Sequence, residues 1–191
     1  QAANAGWLES LDQHFDNSNL FDKNWYDLGD IFSSAKSFPV WNDGQSYVMS
    51  ITAEAQTMFA NQNMLDAIGA AVPTTFDELL STGKKLKTGD VSGVAMRSKA
   101  DGSAGTWPCG GFVFSNGGVI IQDGKCMLDS AEAIQAVHYY GTILNEAGPL
   151  GVGNYHWYEC LNDYMQEVCA IGLDSSNFAT DIENPEKSNA A

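Results

Sequence analysis

Residues 73–97 constrain the fold of this chain most, because they place a well-capped helix directly before a buried strand. Thr75 can accept a hydrogen bond from the backbone three residues on while Glu78 reaches back to it, which is the capping-box pattern. The predicted helix runs to about Leu86, and residues 92–97 predict a strand buried along most of its length. A helix that leads into a buried strand favours a layered α/β fold.

Turn and helix signals downstream extend this pattern. The Asp-Gly pair inside residues 119–128 predicts a tight hairpin, since those two residue types accept the positive φ of a two-residue turn. Asp129 is expected to cap a helix that runs to about Glu146, with Glu132 at its third position. The face predicted to be buried on this helix consists of Ile134, Val137, Gly141 and Leu144.

Near the end of the chain, the sequence again predicts a helix followed by a buried strand. Helical spacing of apolar residues predicts a helix from about His156 to Glu167, and residues 169–173 predict a buried strand after it. The glycine-rich residues 98–118 lack the Lys-Ser/Thr ending of a phosphate loop and predict a shaped loop with helical pieces.

The first third of the chain is less regular. Residues 7–41 predict short helices and loops, and residues 46–51 carry the β-prone side chains of a short strand. Residues 52–65 could either continue as a strand or begin a helix.

Charge limits the possible partners. Nine Lys and Arg against 24 Asp and Glu give a net charge of −15 over 191 residues, which argues against nucleic acid and anionic lipid as partners. A hydrophobic content of 44% is too high for a disordered acidic chain, and no apolar run approaches the ~20 residues that span a bilayer. A globular protein with a neutral or cationic ligand fits these numbers best.

Cysteine and histidine spacing gives no sign of a metal site. The four cysteines lack CxxC pairs, so disulfides, free thiols or a mixture of the two remain open. The three histidines show neither HxH nor HExxH spacing. Residues 1–6 do not resemble a signal peptide, so targeting does not reveal the compartment.

Support for catalysis is equally weak. Glu54, Glu159 and Asp174 could supply the two carboxylates of a glycosidase, but chance pairs are abundant among 24 acidic residues. No serine lies in a GxSxG motif, and no cysteine has a recognisable histidine partner. We therefore predict a protein that is not an enzyme and has no catalytic residue, metal ligand or cofactor.

Large rings lie where α/β proteins usually bind ligands. Trp107 is in the glycine-rich loop, Trp157 is at a helix start and Phe178 follows a strand end. Each ring could instead belong to the core, because aromatics supply much of a core's buried area. Aromatic faces suit the C–H faces of sugars and polyols. The polar side chains beside them that could hold paired hydroxyls are Glu54, Arg97, Asp174 and Asn177.

A series of short motifs runs through the chain in a fixed order. The motifs are PTTFDELL at 73–80, GVAMR at 93–97, GG at 117–118, DGK at 123–125, LDSAEAI at 128–134, GP at 148–149 and WYE at 157–159. Their order and spacing resemble the extracellular solute-binding proteins of sugar ABC transporters. GTWP at 105–108, NYHWY at 154–158 and DSSNFAT at 174–180 are similar to the sorbitol- and mannitol-binding branch. The resemblance covers about residues 40–188.

The resemblance implies an α/β fold like that of type II periplasmic binding proteins, with two lobes, hinge strands and a ligand cleft. Residues 1–50 would be a remnant of the first lobe and the approach to the hinge, and residues 51–188 the second lobe. The chain would then be a middle piece, without the start of the first lobe and the C-terminal part.

The implied function is binding of a sugar or polyol and its delivery to an ABC import permease, with no nucleic acid partner and membrane contact only through the permease. The implied location is periplasmic or extracellular, with a lipid anchor as one arrangement of the full-length protein. Two alternatives are a carbohydrate-active enzyme that uses the acidic residues, and an interaction domain of the same fold without ligand.

The resemblance also implies site residues. It makes Glu54 a hydroxyl acceptor near the cleft, and our own addition, from its position at a strand end, is Arg97. Relatives have a Gly-Lys turn where this chain has Glu167 and Val168, which puts that tight turn in doubt. The implied ligand wall contains Trp107, Tyr155, Trp157 and the strand end at residues 174–178, where the predicted ligand-binding residues are Asp174, Asn177 and Phe178.

Overall fold

A computed structural model describes residues 2–27, 29–37 and 40–191 of the chain. By their contacts the residues separate into two compact units, Gln1–Ala53 and Glu54–Ala191. None of the helices formed by the described residues combines the length and apolar character that crossing a membrane requires.

The first unit contains short helices and loops, as predicted for the described part of residues 7–41. Its helices are α1 (Asp12–Phe15), α2 (Lys23–Tyr26) and α3 (Ser33–Ser37). The strand predicted at residues 46–51 is wrong. Only Ser46 pairs, in one isolated bridge to Val40, because the β-prone side chains after it meet no neighbouring strand.

The second unit carries the sheet and the longer helices. Its helices are α4 (Gln62–Ala67), α5 (Phe76–Leu86), α6 (Thr106–Ser115), α7 (Ala131–Ala147), α8 (Trp157–Met165) and α9 (Ala179–Ile182). Its strands are β1 (Gln56–Ala60), β2 (Ser92–Met96), β3 (Ile121–Gln122), β4 (Lys125–Cys126) and β5 (Cys169–Ser175).

Strand β5 lies at the centre of a three-stranded sheet in the order β1-β5-β2. It pairs antiparallel with β1 and parallel with β2. Helices α5, α6 and α7 cover the face that carries Val94, Met96 and Ile171, whereas α8 packs on the other face, where Phe59 meets Tyr164. Helices on both faces of the sheet confirm the predicted α/β layering.

Several local predictions hold in detail. Thr75 and Glu78 form the capping box of α5. The hairpin of β3 and β4 turns at Asp123 and Gly124, both with positive φ. Residues 52–65, which were open between strand and helix, contain both, since β1 ends one residue before Asn61 caps α4.

Helix α7 begins one residue later than predicted, with Ser130 and not Asp129 as its N-cap. The predicted buried face is confirmed only at Leu144, because Ile134 and Val137 are 58% and 46% exposed and Gly141 is exposed too. The helix packs instead through a face with smaller residues, which allows a closer approach. The buried residues are Ala133, Ala136, Ile143, Leu144 and Ala147.

The turn before β5 forms without glycine. Glu167 adopts φ +58°, a left-handed conformation that is strained for a non-glycine residue. Its carboxylate accepts a hydrogen bond from Asn61 Nδ2 at 3.0 Å, and its backbone N–H donates to the Tyr164 carbonyl. These bonds hold the tight turn that the sequence put in doubt.

All four cysteines are free thiols, which decides between the alternatives left open by the sequence. Cys126 is exposed and Cys109 is partly exposed, whereas Cys160 and Cys169 are buried together beside Ala95. Burial raises the pKa of the Cys169 thiol to about 11 and raises that of Cys160 as well.

We expect thiol reactivity to follow this division. At pH 8 a thiol with a pKa of about 11 is ionised to roughly one part in a thousand, and only the thiolate reacts. Titration of the native chain with a disulfide reagent should label Cys126 first and leave Cys160 and Cys169 unmodified until denaturant is added. Cys126→Ser should remove the fast phase, and fast labelling of Cys160 in the folded chain would contradict the buried cluster.

Helix α5 approaches strand β2 through a pair of glycines. A Cβ placed on Gly93 would overlap the carbonyl group of Gly83, which is backbone and cannot rotate away. The absence of two side chains therefore sets the distance between helix and strand.

Gly93→Ala should lower the free energy of unfolding by about 2 kcal/mol or more, because the overlap forces α5 away from the sheet. Gly141→Ala is the matched control. Gly141 lies within α7 with no atom near its missing Cβ, so alanine should raise stability by about 0.5–1 kcal/mol. Urea unfolding of both variants measures the difference, and equal effects would contradict the close approach.

Candidate ligand-binding site

The predicted site residues gather at one edge of the sheet. Strands β2 and β5 are parallel, so both end at the same edge, where Arg97 follows β2 and Asp174 lies near the end of β5. Strand β1 runs the opposite way and begins there, with Gln56 opposite Ser175. Ligands of open α/β sheets bind at such carboxyl edges.

A buried ion pair joins the two parallel strands at this edge. Arg97 Nε donates to both carboxylate oxygens of Asp174, at 3.1 and 2.9 Å, and Nη2 donates to Oδ1 at 2.5 Å. The side chain of Asp174 is 4% exposed and that of Arg97 is 16% exposed. Tyr140 adds a hydrogen bond of 2.6 Å from its hydroxyl to the Arg97 carbonyl.

Trp107 lies against the guanidinium of this pair, whose carbon is 4.6 Å from the ring centroid. It belongs to the first turn of α6, where Pro108 is tolerated because early helical N–H groups have no partner in the helix. The carboxylate of Asp101 holds the loop before α6 by accepting backbone hydrogen bonds. Hydrogen bonds from the backbone N–H groups of Ala104 and Ser103 lower the pKa of Asp101 to about 2.

Residues 98–118 contain a loop with a helical piece, as predicted, but the helical piece is long, since helix α6 runs without interruption from Thr106 to Ser115. Glycines weaken a helix in isolation, but here tertiary packing overrides that preference. Phe112 and Val113 are buried, and a Cβ on Gly111 would overlap the amide of Gln56. The glycine therefore leaves room for a side chain at the edge of the sheet.

Glu54 is held at the same edge by two side chains. Its Oε2 accepts from Ser175 Oγ at 2.5 Å, and its Oε1 accepts from Asn177 Nδ2 at 3.3 Å. Ser176 Oγ accepts from the Ala55 N–H at 3.1 Å, which fixes the adjacent backbone. Glu54 and Asn177 are exposed, so their remaining hydrogen-bonding capacity faces solvent.

Trp157 and Phe178 extend the edge on the side of α8. Their ring centroids are 5.7 Å apart, and the Trp157 side chain is 40% exposed. His156 caps the start of α8 by accepting from the Trp157 N–H at 2.9 Å, while Glu159 accepts from the His156 N–H at 2.8 Å. The capping pair fixes the turn from which the Trp157 ring projects.

Side-chain contacts and the short segment 174–178 thus connect seven of the eight predicted residues. We call this group the edge band. It consists of Trp107, Arg97, Asp174, Glu54, Asn177, Phe178 and Trp157.

Tyr155 is the exception, because the structure directs its side chain elsewhere. Its hydroxyl donates to Asp163 Oδ2 at 2.8 Å, and its ring packs on Ala95, Cys160 and Cys169. Both Tyr155 and Asp163 line a separate cavity of about 340 Å³ that also includes Ser92, at the opposite end of β2. Burial, and then the bond to Asp163, raise the pKa of Tyr155. The three-ring wall is therefore wrong in its Tyr155 member.

Tyr155→Phe should lower the free energy of unfolding by about 1 kcal/mol, since the partly buried Asp163 loses its donor. Tyr158→Phe is the control, because Tyr158 is half exposed and its hydroxyl has no hydrogen-bond partner among the described residues. Urea unfolding at pH 7 compares the two, and equal stabilities would contradict a structural role for the Tyr155 hydroxyl.

The sequence analysis did not identify Gln56 at this edge, and it included Ser175 only as part of the segment 174–178. Gln56 Nε2 donates to the Trp107 carbonyl at 2.6 Å, and Ser175, fully buried, donates to Glu54. The strand register that sets Gln56 opposite Ser175 is what would have placed both residues at this edge. That register could not be obtained while residues 52–65 were undecided between strand and helix.

Cavity size does not mark the edge band. A cavity of about 120 Å³ lies beside Trp107, Gln56 and Asp174. A larger cavity of about 450 Å³ lies between Met58 and the start of α5. Polar groups around it bond to one another, as Tyr139 does to Asp77 at 2.8 Å, so they offer little to a polyhydroxy ligand.

The acidic residues weighed for catalysis have other partners. Asp174 pairs with Arg97, Glu159 caps α8 and Glu54 is bound by Ser175 and Asn177. Among the described residues, no group of three or more His, Cys, Asp or Glu side chains could hold a metal ion.

Comparison with known protein families finds one match that spans almost the whole chain. The family model described as "Bacterial extracellular solute-binding protein" matches residues 1–190 of the chain. A search of curated proteins finds no significant match.

Solved structures share the fold. An ABC transporter solute-binding protein from Agrobacterium vitis S4 with bound D-mannitol is 21% identical, with a TM-score of 0.81, over 100% of this chain and 45% of that one. One from Agrobacterium radiobacter K84 in complex with ribitol is 23% identical, with a TM-score of 0.81, over 99% and 47%. Maltose-bound MalE3 of T. maritima is 20% identical, with a TM-score of 0.82, over 99% and 47%.

These likenesses confirm the α/β fold of periplasmic solute-binding proteins. The chain spans a little less than half the length of these three structures.

Proposed function

The chain belongs to the family of bacterial extracellular solute-binding proteins, which bind solutes and are not enzymes, and from this we propose that it binds a neutral sugar or polyol at the edge band. The observation that carries the proposal is the placement of two exposed or partly exposed indole rings, Trp107 and Trp157, beside hydrogen-bonding groups of the same edge. Rings take the C–H faces of a sugar, while Glu54 and Asn177 take its hydroxyls.

The charges of the edge band favour a neutral ligand. The Arg97 charge is compensated by Asp174, whereas the carboxylate of Glu54 is bonded, within the described part of the chain, only to the neutral groups of Ser175 and Asn177. The band therefore carries one net negative charge, which disfavours an anionic sugar acid or sugar phosphate. Relatives with this fold bind D-mannitol, ribitol and maltose, all of them neutral.

We further propose that Glu54–Ala191 is the second lobe of a two-lobed binding protein. In the complete protein, the other lobe would close over the edge band, and the closed form would deliver the solute to an ABC import permease outside the cytoplasm. Relatives described as ABC transporter solute-binding proteins support this partner.

Calorimetric titration of the complete protein tests the proposal. D-mannitol, ribitol and maltose are the neutral probes, and gluconate is an anionic probe of similar size. Saturable binding of at least one neutral probe, with gluconate at least tenfold weaker, is the expected result. Absence of binding to all neutral probes would favour an interaction domain that has kept the fold without the ligand.

Trp107→Ala and Trp157→Ala should each weaken binding of the best neutral probe by about 2 kcal/mol, or roughly 30-fold, as loss of an aromatic anchor commonly does. Phe114→Ala is the matched control, since Phe114 lies on α6 two turns after Trp107 and is exposed. It should change affinity less than twofold. Unchanged affinity in either tryptophan variant removes that ring from the wall.

A further inference from the structure

We propose that Asp174 is a positioning residue which does not touch the ligand but holds the Arg97 guanidinium over the Trp107 ring. This inference rests on the proposed function, because the arrangement would set the affinity of the polyol site through Arg97 and Trp107. It replaces the expectation that Asp174 itself takes hydroxyls.

The bonding of Asp174 leaves little for a ligand. Its Oδ1 accepts from Arg97 Nε at 3.1 Å, from Arg97 Nη2 at 2.5 Å and from the Ser175 N–H at 2.7 Å. Its Oδ2 accepts from Arg97 Nε at 2.9 Å. Three N–H groups already donate to this carboxylate, which is only 4% exposed, so an incoming hydroxyl has little access to it as an acceptor.

Arg97, in contrast, keeps free donors. Asp174 engages Nε and Nη2, while Nη1 has no hydrogen-bond partner among the described residues. The guanidinium carbon lies 4.6 Å from the centroid of Trp107, which is within cation–π range. The planar group thus presents N–H donors next to the ring that would pack on the sugar.

Without the carboxylate this arrangement loses its anchor. An arginine side chain has many rotamers, and hydrogen bonds from two of its nitrogens to the carboxylate limit that freedom. Tyr140 holds only the backbone carbonyl of Arg97. Asp174 therefore fixes the position of the Arg97 guanidinium, and through it the contact between the guanidinium and the Trp107 ring.

The first test is a double-mutant cycle on D-mannitol binding by the complete protein, or on the best neutral probe if mannitol binds poorly. Asp174→Asn and Arg97→Gln should each weaken binding tenfold or more, and the double variant should be about as weak as either single variant. Losses that multiply in the double variant would mean that Asp174 contacts the ligand by itself, which overturns the proposal.

Arg97→Lys separates geometry from charge and leaves no buried carboxylate without a cation. Lysine cannot donate from two fixed nitrogens or lie as a plane over an indole, so this variant should lose about as much affinity as Arg97→Gln. Retained affinity would overturn the positioning role. The control pair is Lys84→Gln with Glu146→Gln, which removes an exposed ion pair between α5 and α7 and should leave affinity unchanged.

A second readout needs no ligand, so it separates failure of this inference from failure of the proposed function. The indole Nε1–H resonance of Trp107, assigned by its loss in Trp107→Phe, should shift in Asp174→Asn and in Arg97→Lys but not in Lys84→Gln. An unmoved resonance overturns the positioning role, even in a protein that binds mannitol. A shifted resonance in a protein that binds none of the probes supports the positioning and refutes the polyol site.

Discussion

The pairing of β5 with two different neighbours is the constraint on which the second unit depends. Its antiparallel register with β1 sets Gln56 opposite Ser175, and its parallel register with β2 sets Met96 opposite Leu173. A slip of one residue in either ladder would turn every side chain to the other face of the sheet. The residues that follow β2 and precede β1 are brought to one edge only because both registers hold.

The ion pair at that edge is a costly way to join two strands. Removing Arg97 and Asp174 from water carries a desolvation penalty that apolar residues of the same volume would not incur, so stability alone explains the pair poorly. Its geometric effect is a better explanation. The pair ties β2 to β5 where backbone pairing ends, and its guanidinium supports the Trp107 ring in the first turn of α6.

Sequence patterns predict the elements of this unit that depend on local chemistry. The α5 capping box, the Asp-Gly hairpin and the strands around Val94 and Ile171 all follow from neighbouring residues. The errors occur where distant residues decide. Helix α6 forms despite two glycines, one of which leaves room for Gln56, α7 packs through its alanines, and Tyr155 donates to an aspartate eight residues on. None of these contacts is visible in a local pattern.

The same distinction explains why seven of the eight predicted site residues meet. Glu54, Arg97 and Asp174 lie at or near strand ends. The pairing of the strands brings these ends to one edge of the sheet, independently of side-chain direction. Tyr155 instead depended on the direction of a side chain in a connecting segment. The strongly acidic chain leaves this edge with a compensated arginine and the uncompensated carboxylate of Glu54, so charge disfavours anions, while rings and hydroxyl partners must distinguish one neutral solute from another.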